Sequence, residues 1–311
     1  MYGKILVPLD ESQRSEAILP HAENLARHGE TQLVLASVVE PQARSTIIDL
    51  NREKEVRFQP RRIEQTERYL TGWRNRLRDR SIASDILVLS GTATDGILHA
   101  VEQLQPDLLA MCSHGRTGLA RAFHGSVAAG VFNRVQCPLL LVRAQTEVRQ
   151  ASNDRILVAL DGSQRAEAIL PHAQEVARRY GAQLTLLRVL RTNYQTAAEI
   201  GLDEPFEETA TANDLFDRVG GHQEAERVRD AQHYLRSWHD TLRERGFAAE
   251  ARLLFGQPIE AIAAVADSID ADLIAMTSHG QSGWTQAFYG SVASGTLHRT
   301  ARPLLLVRAD G

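Results

Sequence analysis

Asp10 and Asp161 each close a short apolar run, in LVPLDES and LVALDGS, and each is followed two residues later by a serine, Ser12 or Ser163. A carboxylate between a strand and a helix can accept hydrogen bonds from the amino or hydroxyl groups of a ligand, or it can cap the helix. A second constellation recurs further along: Gly115 is followed after nine residues by Gly125-Ser126, and Gly280 by Gly290-Ser291. Glycines let backbone approach a ligand, and Gly-Ser opening a helix presents N–H groups, a hydroxyl and the positive end of the helix dipole. That chemistry suits phosphate; the plain alternative is that the glycines make turns and the serines cap helices.

Other chemistries are excluded by residue type. His114 and His279 lack a repeated carboxylate or cysteine at a spacing that would orient them as triad bases. A phospho-acceptor aspartate wants further carboxylates for a metal, and Glu11 becomes Gly162 in the second occurrence. Gly115-x-x-Gly118 stops short of the three-glycine dinucleotide fingerprint. Lys4 and Lys54 are the only lysines, so neither a lysine-bearing phosphate loop nor Schiff-base chemistry has a candidate.

The elements that must position these residues also occur twice. KILVPLDESQRSEAILPHA from Lys4 returns as RILVALDGSQRAEAILPHA from Arg155, a shift of 151, whereas MCSHGRTGLARAFHGSVAAG from Met111 returns from Met276, a shift of 165. The second copy therefore carries 14 extra residues, placed between its second strand and its next helix. Within a copy, Ile5 to Leu9 predicts a buried strand, and Ala17, Ile18, Ala22, Leu25 and Ala26 predict one helix behind it. Leu33 to Val39 predicts a second strand. Ile63, Thr66, Leu70, Trp73 and Leu77 share a helix face that returns as Val228, Ala231, Leu235, Trp238 and Leu242. Strands over 86–89, 108–111 and 139–142, with helices over 95–105 and 126–134, complete a βαβαβαβαβ order. Such alternation implies a parallel sheet with helices on both faces, and ligands in such sheets bind beyond the carboxyl ends of strands where the order reverses. If strands one and four are neighbours there, the aspartate and the S-H-G segment face one crevice.

The chain of 311 residues predicts two domains, 1–146 and 152–311, joined by the polar stretch 145–154. Periodicity lapses over 41–62 and 191–221, the latter rich in Asp and Glu, which reads as a solvated loop or a lid over the site. With 43% hydrophobic and 24% charged residues and a net charge of −4, a soluble globular protein without a nucleic-acid partner is expected. The absence of a long apolar run or of a signal-peptide pattern predicts a cytoplasmic protein with no membrane partner. Two cysteines, Cys112 and Cys137, fit a reducing compartment.

Read together, the aspartate, the S-H-G-x9-G-S-V segment and the P-L-L-L-V strand resemble the universal stress protein family in a tandem form. The resemblance implies two doubly wound five-stranded α/β domains with strand order 3-2-1-4-5. Its pattern for members that bind ATP is G-x-x-G-x9-G-[ST]. Gly115, Gly125 and Ser126 match it, as do Gly280, Gly290 and Ser291, but the first glycine is Cys112 in one copy and Thr277 in the other. That departure puts a side chain where backbone would approach the ligand. The resemblance further implies that Asp10 with Val38, and Asp161 with Val189, hold the adenosine. Arg116, beside the turn glycine, and its counterpart Gln281 are expected to contact the phosphates, with any Mg or Mn held mainly by the phosphates. An ATP-binding regulatory protein with slow turnover or none is expected, pairing as a homodimer of tandem chains; the alternative is an interaction module that binds no nucleotide. The apolar last strands are expected to meet within one chain.

Overall fold

A computed structural model of the chain describes residues 2–27, 30–40, 60–113, 126–143, 154–191, 222–278 and 290–308. Its contacts cluster into two units, Met1–Gln150 and Ala151–Gly311.

In the first unit the strands are β1 (Lys4–Pro8), β2 (Gln32–Val39), β3 (Ser84–Ser90), β4 (Leu108–Cys112) and β5 (Leu139–Val142). The helices are α1 (Gln13–Glu16), α2 (Leu19–Arg27), α3 (Pro60–Asp79), α4 (Ala93–Leu104) and α5 (Ser126–Phe132). The sheet order is β3-β2-β1-β4-β5, parallel throughout, with Leu6 opposite Val34 on one side and Leu109 on the other. A strand covered on both faces must be apolar at successive residues rather than alternate ones, and every residue of LLAMC in β4 is buried.

The second unit has β6 (Arg155–Leu160), a 3-10 turn (Ala166–Ile169), α6 (Leu170–Tyr180), β7 (Gln183–Leu190), α7 (His222–Glu244), β8 (Ala249–Phe255), α8 (Pro258–Ser268), β9 (Leu273–Thr277), α9 (Ser291–Arg299) and β10 (Leu304–Val307). Its order, β8-β7-β6-β9-β10, is again 3-2-1-4-5. Within each unit, β2 and β7 are both eight residues long and offset by 151, whereas β3 and β8 are offset by 165. The additional 14 residues thus fall between Leu190 and His222.

One expectation is corrected. The single helix read from Ala17 onward is two pieces in the first unit, with Ala17 and Ile18 bonding back three residues, to Arg14 and Ser15. Pro20 has no N–H to continue a four-residue ladder, so the chain tightens into 3-10 geometry before α2 begins. Pro171 follows the 3-10 turn of the second unit in the same way.

The long helices pack as their apolar stripes require. Thr66, Leu70 and Leu77 of α3, and Val228, Ala231, Leu235 and Leu242 of α7, are buried. The tryptophans on these stripes also carry a polar handle: Trp73 Nε1 donates to Glu16 at 3.3 Å and Trp238 Nε1 to Glu167 at 3.1 Å. On the other face of each sheet, α4 and α5, and likewise α8 and α9, approach closely through a glycine. A Cβ on Gly130 would lie 2.9 Å from Thr94 Cγ2, and one on Gly295 would lie 2.8 Å from Ile259 Cγ1. The amino ends of β1 and β6 are clipped by carboxylates: Asp107 Oδ2 accepts from Gly3 and Lys4 N–H, and Asp272 Oδ2 from Asp154 and Arg155 N–H. Among the described residues no helix is long and apolar enough to cross a membrane.

Candidate functional site

Strand β1 lies between β2 and β4, and β6 between β7 and β9, so each sheet reverses its order beside its first strand. The carboxyl end of β1 leads to Asp10 and that of β4 to Ser113, which places the two sequence motifs at one sheet edge.

Asp10 is not the helix cap. Its Oδ1 accepts from Ser12 N–H at 3.0 Å and from the Ser12 hydroxyl at 2.6 Å, and the Ser12 hydroxyl oxygen in turn accepts from Ser15 N–H at 3.2 Å. Asp161 repeats the arrangement with Ser163 at 2.9 and 2.6 Å, and Ser163 accepts from Ala166 N–H at 3.1 Å. The serine does the capping, and the aspartate orients the serine. Of the two readings open from sequence, cap or acceptor, the geometry thus assigns the cap to the neighbouring serine and fixes the aspartate through one oxygen. Both aspartates are half-buried.

Val38 and Val189, one residue before the ends of β2 and β7, are half-buried. Val38 rests on α4, where a Cβ on Gly96 would come within 2.6 Å of its Cγ2. Gly96 was not singled out from the sequence, although a glycine inside an apolar helix stripe is the usual mark of such an approach.

Cys112 and Thr277, the residues that stand where the family pattern has its first glycine, are both buried. Burial pushes the Cys112 thiol up to about 12, with the Ile18 backbone opposing that shift and Asp10 adding to it. The side chain therefore points into the protein, between the strand and the turn ahead of α2. After β9 the chain returns to the strand end: Gly290 N–H donates to the Ser278 carbonyl at 2.9 Å, and Ser278 N–H donates to Val307 at 2.9 Å. Gly290 is the N-cap of α9, with φ −48° and ψ 137°, and it provides no side-chain cap to the first turn, which Ser291 opens exposed to solvent. In the first unit Ser126 opens α5. Gly115, Arg116, Gly125, Gly280 and Gln281 lie outside the described residues, as do His114 and His279.

The two units differ on the side of the crevice that faces α3 and α7. In the first, Glu11 has φ +66°, and its carboxylate accepts from the Thr66 hydroxyl at 2.6 Å and pairs with Arg62 at 3.1 Å. In the second, the equivalent residue is Gly162 at φ +85°, and the guanidinium of Arg188 covers it. Arg188 takes the place of Ser37 in the repeat. The signal in the sequence was a charge inside the strand run LTLLRVL, visible only when the copies are laid side by side.

Comparison with known proteins agrees with this architecture. The model of the universal stress protein family matches residues 1–143 and again 152–308. A universal stress protein of Mycolicibacterium smegmatis is 25% identical over 316 residues, covering 99% of this chain and 97% of that protein. One from Mycobacterium bovis is 24% identical over 205 residues, covering 66% of this chain and 62% of that protein, so the match spans less than two thirds of that relative's length. The crystal structure of a universal stress protein from Archaeoglobus fulgidus superimposes with a TM-score of 0.69 at 20% identity, covering 98% of this chain and 96% of that one, a likeness of fold. With the family model matched twice along its length and the same strand order in both halves, the chain belongs to the universal stress protein family, in a form that carries the domain in tandem.

Proposed function

We propose that each domain holds an adenine nucleotide, ATP in the first instance, and that the protein is a cytoplasmic stress-response regulator that retains the nucleotide rather than turning it over. One observation carries this reading: in both units the aspartate at the end of the first strand is locked by its serine beside the end of the fourth strand, at the reversal of strand order. A carboxylate oriented by two short hydrogen bonds is preorganised to accept from an adenine amino group or a ribose hydroxyl. The first turn of α9, opened by Gly290 without a side-chain cap, offers backbone N–H groups suited to phosphate oxygens. Asp10 with Val38, and Asp161 with Val189, would hold the adenosine. Gly115, Gly125 and Ser126, and Gly280, Gly290 and Ser291, would hold the phosphates, with Arg116 and Gln281 alongside and a Mg or Mn ion carried mainly by the phosphates themselves.

Slow turnover is read from residue type, since the two S-H-G-x9-G-S segments contain no lysine and no carboxylate to position a nucleophile. Phosphoryl transfer needs charge neutralisation at the transferring group. Lys4 donates instead to the Leu104 carbonyl at 3.1 Å, at the amino ends of the strands, away from the crevice. Native mass measurement of freshly purified protein, followed by calorimetric titration with ATP, tests the reading. Retained or titratable adenine nucleotide, lost in an Asp10→Ala, Asp161→Ala double variant, is the expected result; a chain that neither retains nor binds ATP would leave the interaction-module alternative in its place. Sedimentation of the same sample tests the proposed homodimer.

A further inference from the structure

We propose that the second domain carries an oxyanion-binding site centred on Arg188, on the α7 side of the crevice, that takes a carboxylate or phosphate group from solution. The inference does not rest on the nucleotide reading. It begins from a coordinated set of replacements between the two copies. Around the turn after the first strand, Glu11, Ser37, Gln65 and Thr66 of the first unit become Gly162, Arg188, Asp230 and Ala231 of the second, while Tyr69 is kept as Tyr234. In the first unit the anion is built in: the Glu11 carboxylate, only 13% exposed, sits between the Thr66 hydroxyl and the Arg62 guanidinium. In the second unit that carboxylate and the hydroxyl that held it are both gone, and a cation has been added, with Asp230 in place of Gln65 nearby.

Arg188 is fitted closely to this place. A Cβ on Gly162 would lie 2.5 Å from its Cζ and 2.6 Å from its Nη2, so the guanidinium occupies the room a side chain would need. Its Cζ stands 5.3 Å from the centroid of the Tyr234 ring, within cation–π range. Among the described residues it forms no hydrogen bond and no ion pair, and its Nε is buried without a partner. In the first unit the equivalent Tyr69 donates to Glu16 at 2.8 Å, and in the second the corresponding Glu167 accepts from Trp238 at 3.1 Å and acts on the Tyr234 hydroxyl as well.

Burial lowers the Arg188 pKa, with Tyr234, Asp161 and Asp230 opposing that shift and Arg227 adding to it. A guanidinium does not release its proton in a protein, and because Asp161 and Asp230 act on this one through space without bonding it, its fork stays open to a directly bonded oxyanion. The planar fork of an arginine matches the two oxygens of a carboxylate or phosphate. A free oxyanion in the second domain would thus take the part that tethered Glu11 plays in the first.

The test is calorimetric titration of the full chain with inorganic phosphate and, in a parallel arm, with acetate, at constant ionic strength set by chloride. Three variants are compared. Arg188→Ser installs the residue the first copy has at this position. Gly162→Glu installs the missing carboxylate, on a backbone that tolerates glutamate at φ +66° in the first copy. Glu11→Gln is the control in the other domain. The expected result is that one or both anions bind the unaltered protein, that affinity falls at least ~10-fold in Arg188→Ser and in Gly162→Glu, and that Glu11→Gln leaves it unchanged. Gly162→Glu should also raise the thermal midpoint in anion-free buffer while abolishing the rise that phosphate or acetate gives the parent. If neither anion binds, or if phosphate binds equally well to Arg188→Ser, as it would at the glycine loop, the assignment is overturned. ATP titration of the same variants is a separate measurement, whose failure would bear on the nucleotide reading alone.

Discussion

Asp10 and Asp161 each orient a serine and, in the proposed site, would hold the nucleotide with the same carboxylate, which makes the outcome of replacing them specific. Asp10→Ala removes the acceptor for both Ser12 groups, so the turn should lose about 1–3 kcal/mol, measured by denaturant unfolding, along with its affinity for nucleotide. Asp10→Asn keeps a neutral acceptor oxygen and should retain most of the stability while still weakening the nucleotide. At the phosphate end, Gly290 has φ −48°, a value open to any L residue, so Gly290→Val brings no backbone strain, costs on the order of 1 kcal/mol as a poorer N-cap, and should act chiefly on the ligand. Paired with Gly125→Val, it allows each site to be titrated alone. Across the nine-residue spacer Arg116, Arg121 and His124 become Gln281, Gln286 and Tyr289, so the first site is expected to bind ATP several-fold more tightly and with the steeper salt dependence. Equal affinity at both salt concentrations would refute the charge argument. Asp10 and Gly290 were legible in the sequence because both recur in the two copies with the same neighbours. Arg188 was not, since a repeat advertises what the copies share and conceals where they differ. The inward direction of Cys112 was also hidden: in a strand buried on both faces, apolar runs carry no alternation from which to tell one face from the other.

At the level of elements, the strands were legible almost to the residue, because buried parallel strands read as unbroken apolar runs: 139–142 was expected and Leu139–Val142 is found. Helix ends were less so. Pro20 divides what periodicity reads as one helix, since spacing of apolar residues is blind to a missing N–H. The close pairs α4–α5 and α8–α9 depend on glycines that no periodicity reports. Gly295→Ala would press a methyl group against Ile259 and should cost about 1–3 kcal/mol in chemical unfolding, with Ile259→Val restoring part of the loss. Gly130→Ala should behave alike against Thr94, and more mildly, because threonine offers a smaller side chain to displace.

For the whole molecule, the buried histidines predict that acid weakens the fold. His21 and His172 occupy equivalent places in the first turns of α2 and α6, and burial lowers both pKa values, that of His21 to about 4. In the unfolded chain these rings hold a proton up to about pH 6.5. Between pH 6.5 and 4 the unfolded state therefore binds more protons than the folded one, so the stability present above 6.5 is lost as pH falls through this window. At about 1.4 kcal/mol per unit, His21 alone accounts for a loss on the order of 3 kcal/mol. A stability profile from pH 7.5 to 4.5 should slope accordingly, and His21→Gln should flatten it; an unchanged slope would assign the acid sensitivity to other groups.

Both cysteines of the chain fall in the first domain, one of them buried in β4 with its thiol held far above neutral pH. Alkylation follows the thiolate, so at pH 8 a maleimide can reach Cys112 only when the first sheet opens, while the second domain, which has Thr277 at that position, remains silent. The protein thus contains its own stopwatch: the rate at which the Cys112 peptide gains mass times the opening of one half of a repeat, and any ligand that slows it must be holding that half shut.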